Sequence, residues 1–137
     1  MCTQEQAIQI LAQVSELTKA VFPQQGSETI LYGSYARGDF NSESDVDILV
    51  LADVPRGELH RYKPPFLRLS SELGFAHDVL ITITLKDRET FERYLSAVPF
   101  YQTIRREGVS LGGGALFISD ERNELNSAQE QPRPFPA

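Results

Sequence analysis

GSYARGDFNSESDVDILV, residues 33–50, is the stretch on which the fold of this chain turns. Its far end runs into DVDILVL, residues 45–51, an apolar, β-prone segment that opens with two acids. Aspartate is disfavoured in strands, so two of them at i and i+2 need a physical reason. Side chains two apart in a strand share a face, which sets the carboxylates of Asp45 and Asp47 roughly 6–7 Å apart. Like charges at that separation repel by about 2–3 kcal/mol at an effective dielectric of ~20. A hard dication relieves the repulsion, and magnesium is commonly held by one or two carboxylates together with substrate phosphates. The plainer reading is that both acids start a strand beside a polar loop, and the residues upstream argue against it.

Upstream, the β-prone run Thr29-Ile30-Leu31-Tyr32 stops at Gly33-Ser34, and Tyr35-Ala36-Arg37 fits one helical turn before Gly38 breaks it. Such a strand–turn–helix aims backbone N–H groups and the Ser34 hydroxyl at one point, a setting suited to phosphate. Gly33 lets the backbone come close. Arg37, one turn on, adds a charge-assisted contact or is simply exposed. A Gly-Ser pair alone carries no information, but here Ser34 is followed by ten residues and then Asp45-Val46-Asp47. That combination resembles the signature of the DNA polymerase β-like nucleotidyltransferases, in particular their minimal nucleotidyltransferase branch.

The resemblance is specific over residues 30–51 and extends in element order from about 5 to 111. It implies an α/β (α+β) fold of the polymerase β-like type, a small mixed β-sheet flanked by helices. It implies further that Gly33 and Ser34, with Arg37, bind the triphosphate of ATP, and that Asp45 and Asp47 hold two Mg2+ ions. A third acid on a neighbouring strand completes the family's site, and by position it is Asp78, as metal ligand or acceptor-activating base. The reaction implied is attack of an acceptor hydroxyl on the α-phosphate.

Working outward, apolar residues from Ala7 to Phe22 recur with a helical period, Thr3 caps the start, and Pro23 and Gly26 end the helix. Pro64-Pro65 opens a second helix, expected to close at Gly74 after Leu73. His77 to Thr84 is expected as a third strand, with Asp78, Leu80 and Thr82 on one face. Beyond Lys86 two helical pieces separate near Val98-Pro99 and end before Gly108, and a short strand follows at Val109 to Leu111. Residues 1–111 are thus expected to form the domain and 112–137 a flexible extension ending in the proline-rich QEQPRPFPA. Within that extension Ala115-Leu116-Phe117-Ile118 is apolar enough to demand cover, from this domain or from a partner.

The other conspicuous residues have bland expectations. Cys2 reads as an incidental terminal thiol. Arg56, Arg61, Lys63, Arg68 and the pair Arg105-Arg106 read as solvated surface, and Asp39 and Glu43 as loop acids. His77 reads as structural and Tyr35 as packing rather than stacking on a base.

With 13 Lys and Arg against 19 Asp and Glu, the formal net charge is −6, which argues against a broad grip on nucleic acid. No apolar run of membrane length and no basic-then-apolar leader occur, so a cytoplasmic protein is expected. A chain of 137 residues has room for one domain and none for a separate acceptor domain. Within the resembled family this favours the antitoxin type, which transfers AMP to a tyrosine of a HEPN-type toxin in a homo- or hetero-oligomer. Two rival readings are a binding module that neutralises its partner by contact, and a small-molecule nucleotidyltransferase completed by dimerisation.

Overall fold

The computed structural model describes residues 2–112 and 115–118. Helix α1 spans Gln4–Val21, and its start is a capping box in which Thr3 and Gln6 satisfy each other's backbone amides. Strand β1, Ser27–Tyr32, leads into the single turn of α2, Ser34–Arg37, and the loop beyond delivers β2, Val46–Ala52. A 3-10 helix at Arg56–Tyr62, which sequence periodicity did not suggest, precedes α3, Lys63–His77. Strand β3 covers Ile81–Asp87, helices α4 and α5 cover Arg88–Arg93 and Pro99–Glu107, and β4 covers Val109–Gly112. Strand β5, Ala115–Ile118, is antiparallel to β4 and so continues the sheet past the boundary expected at residue 111. Of the extension expected to be flexible, Gly112 and Ala115–Ile118 are strand, and the rest lies outside the described residues.

The sheet runs β3-β2-β1-β4-β5. It is mixed, since β2 is parallel to β3 whereas β1 is antiparallel to both β2 and β4. The interior strand β2 is covered on both faces, which explains why its sequence is a continuous apolar run and not an alternating one. One face packs Leu31, Val46, Ile48 and Val50 against Ala7, Ile10, Leu11 and Val14 of α1 and Phe66 of α3. The opposite face packs Ile30, Leu49 and Leu51 against Phe91 of α4 and Ile104 of α5. Full burial of each such side chain contributes about 1.5–3 kcal/mol, so both layers hold the sheet.

Three expectations are corrected here. Helix α3 does not stop at Gly74 but runs to His77, where Asp78 takes the left-handed conformation at φ 54° and ψ 52°. The chain then doubles back so closely that the Val79 carbonyl oxygen lies 2.8 Å from where a Cβ on Gly74 would stand. The glycine serves that close approach, and β3 begins only at Ile81, four residues after the expected start. Asp78 therefore stands on a helix cap and not on a strand. Arg105, expected on the surface, donates at 2.7 Å to the carboxylate of Glu28, itself 5% exposed within β1. Arg106 does stay exposed, beside Glu107. Cys2 is no loose terminal thiol, since its side chain is buried in the first core and its carbonyl accepts a hydrogen bond from the Tyr35 hydroxyl at 2.9 Å.

Candidate active site

Gly33 has φ 82° and ψ −158°, a region that only glycine enters without strain. An ideal Cβ on it would lie 2.7 Å from Oδ2 of Asp47. The backbone of the turn therefore touches one member of the acid pair, and the two halves of the 33–50 stretch converge. Within α2, the amides of Ala36 and Arg37 donate to the Gly33 carbonyl and that of Gly38 to Ser34. The amides of Ser34 and Tyr35 precede these in the turn, where a helix has no partner of its own for its leading amides.

Gly33→Ala should strain the turn by about 1–3 kcal/mol and push the acid aside. Displacements of about an ångström at a reacting centre cost on the order of a hundredfold, and turnover should fall by that order while thermal melting shows a folded protein. Unchanged turnover would mean that the turn takes no part in the reaction.

The loop between turn and acids is tied by its own polar groups. The Glu43 amide donates to Asn41 Oδ1 at 2.8 Å and the Asn41 amide to Ser44 Oγ at 2.9 Å. Asp45, just before β2, and Asp47, within it, follow, both half-buried, and Asp47 stands on the side of the sheet that carries Leu49 and Leu51. Burial first, and the charge of Asp45 second, push the Asp47 carboxyl above the usual carboxylate range. Among the described residues no cation is paired with either acid. Crowded, uncompensated oxygen donors of this kind fit a divalent cation.

Asp78 joins the pair only in part. It lines, with Asp45, Glu43, Ser42 and Ser44, a cavity of about 390 Å3 that also borders Cys2, Tyr35 and Gly74. Asp47, Gly33 and Ser34 do not line it. Among the described residues no three His, Cys, Asp or Glu side chains come together closely enough to hold a metal. On the neighbouring strand the register partner of Asp47 is Thr82, and Asp78 precedes that strand. Arg37 is engaged elsewhere, 3.2 Å from Asp39 and 3.5 Å from Glu107. Tyr35 is buried and stacked on Phe40, which agrees with a packing role, and His77 does not border the cavity.

Sequence reasoning passed over Tyr32 and its neighbours. Tyr32 is the antiparallel register partner of Asp47. Burial first, and the Asp47 charge second, push its phenol up, with the Thr84 side chain in hydrogen-bonding contact as a partial offset. The available signal was its place next to Gly33, where the last strand residue must border whatever the turn binds.

A family model described as "Nucleotidyltransferase domain" matches residues 9–103. The chain belongs to that family. The nucleotidyltransferase domain is 28% identical over 94 residues to a Methanocaldococcus jannaschii protein named as a candidate protein adenylyltransferase, covering 69% of this chain and 93% of the relative. A second M. jannaschii protein with the same description is 33% identical over 79 residues, 58% of this chain and 71% of the relative. The fold is similar to that of a candidate nucleotidyltransferase of Sulfolobus solfataricus, with TM-score 0.51, 19% identity, and coverage of 83% of this chain and 90% of that one. The family uses a nucleotide substrate and a divalent metal. Among the described residues no helix is long and apolar enough to cross a membrane.

Proposed function

We propose that this nucleotidyltransferase domain transfers AMP from ATP to a protein hydroxyl, and that the acceptor is a tyrosine of a HEPN-type toxin, which the modification silences. The observation that carries the reading is the contact between the Gly33 turn and Asp47, since it brings a phosphate cradle and an acid pair into one centre. The acceptor class draws support from the two curated relatives, both named for protein adenylylation. The choice of a HEPN toxin rests on the likeness of residues 33–50 to the minimal antitoxin branch, and the net charge of −6 suits a basic, RNA-binding partner.

In this reading Gly33 and Ser34 hold the triphosphate through backbone and hydroxyl donors, and Asp45 and Asp47 hold two magnesium ions. Bound magnesium supplies charge neutralisation at the phosphates and acidifies the attacking hydroxyl. The acceptor oxygen bonds to the α-phosphorus, the bond to the β-phosphate oxygen breaks, and pyrophosphate leaves. The acceptor proton passes to Asp78, which borders a cavity that Asp45 also lines and Gly33 and Ser34 do not. Arg37 is kept for the triphosphate only if it leaves Asp39 and Glu107, and its replacement by Ala tests that.

Asp78→Asn should lower turnover by about a hundredfold, the low end for loss of a general base, and leave triphosphate affinity unchanged. A parallel loss of magnesium–ATP affinity would instead make Asp78 a ligand. The reading as a whole is tested by incubating the protein with labelled ATP, magnesium and a lysate of its own host. A labelled tyrosine on a small helical protein, located by mass spectrometry, is the expected result, and label on a small molecule alone would reject the acceptor class.

A further inference from the structure

Phosphate donors and metal-binding acids account for one end of a nucleotide, and the face they occupy continues into residues with no part in that chemistry. Tyr32 pairs with Asp47 across the strands and packs on the cluster beneath α4 and α5, so its ring lies on the face that carries Asp47. The Phe100 ring stands edge-on to Tyr32, with centroids 5.8 Å apart and planes at 80°. Pro99 opens α5 and presets the backbone that presents Phe100 in the first helical turn. Phe100 is nevertheless 56% exposed.

Single exposed apolar residues are ordinary on any surface, and Leu67 and Phe75 of α3 are of that kind, on the opposite layer of the sheet. Phe100 differs in its place. It packs on the register partner of Asp47, which sets it on the side of the sheet that carries that acid. It is also braced, because Tyr32 is fixed from below by its cluster and at its hydroxyl by contact with Thr84. A braced and largely exposed ring on the side of the acid Asp47 has the chemistry of a stacking surface for a flat heterocycle.

We propose that Phe100, braced by Tyr32, is the platform on which the base of the bound nucleoside triphosphate stacks. The proposal rests on the nucleotidyltransferase reading of the Gly33–Asp47 centre and adds to it the subsite that turns a phosphate site into a nucleotide site. Because the ring offers area and no hydrogen bonds, it strengthens binding without choosing sharply among bases.

The test titrates ATP and inorganic tripolyphosphate, each with magnesium, into the wild-type protein, Phe100→Ala and Phe100→Trp by calorimetry. Phe100→Ala should weaken ATP roughly tenfold or more, by the usual worth of one base–aromatic stack. It should leave tripolyphosphate unchanged, and Phe100→Trp should keep or improve the wild-type affinity for ATP. Equal weakening of both ligands would reduce Phe100 to a packing role, and no weakening of either would place the base elsewhere, so each overturns the platform alone. A wild-type protein that bound neither ligand would overturn the platform together with the reading beneath it.

Discussion

Asp47→Asn abolishes nucleotidyl transfer, with a loss of about a thousandfold or more, and leaves a protein that melts at the wild-type temperature or above it. The first half follows from charge. Stabilising the phosphates and the attacking oxygen through a bound cation is worth several kcal/mol, and each ~1.4 kcal/mol is a factor of ten in rate. Asparagine keeps the shape that Gly33 packs against and removes the charge that would hold the cation. The second half follows from the direction of the Asp47 shift. Burial and Asp45 penalise its charged form in the folded state, so removing that charge relieves the fold. Asp45→Asn should act in the same direction on turnover. Transfer is read from pyrophosphate release and the melt from calorimetry. If the protein neutralised a partner by contact alone, both variants would keep that effect, which separates an enzyme from a binding module.

Arg105→Met destabilises the domain by about 3–5 kcal/mol, because it strips a buried carboxylate of its main partner. Glu28 is 5% exposed and receives two bonds from Arg105, at 2.7 and 3.3 Å. Ser110 also donates to it, and Arg88 lies at 3.4 Å. Burial pushes the Glu28 carboxyl up, but Arg105, Ser110 and Arg88 together outweigh burial and hold it below the ordinary value of 4.5. A depressed carboxylate contributes stability that is present above its unfolded pKa and is lost as the pH falls through the folded one. Urea melts should therefore show wild-type stability declining below about pH 4.5, and the decline should be shallower in a Glu28→Gln, Arg105→Met double variant. Arg105→Met with wild-type stability at neutral pH would show that Arg88 and Ser110 suffice for Glu28. Since Glu28, Arg105, Arg88 and Ser110 lie in β1, α5, α4 and β4, this network fastens the second helical layer to the sheet that carries the acids.

Where local chemistry decides, the sequence was readable. The period of α1 and its Thr3 cap, the turn at Gly33, and the break at Pro99 all depend on residues within a few positions of each other. The end of α3 was misjudged because Gly74 satisfies two descriptions, a helix stop and a place of close approach. Only the returning Val79 carbonyl distinguishes them. That error carried Asp78 onto a strand and hid Thr82 as the partner of Asp47. Arg105 was misread because its partner Glu28 is 77 residues away, and nothing near Arg105 announces burial.

By itself the sequence determined the mixed α/β fold, the Gly33-Ser34 turn and the paired acids at its fixed interval, because backbone freedom and side-chain alternation are local properties. Only the tertiary structure decided which groups meet: Gly33 against Asp47, Tyr32 beside the pair, Asp78 across a cavity, and Arg105 buried on Glu28. Contact and desolvation depend on strands and helices brought together from distant parts of the chain, and spacing along the chain does not encode them.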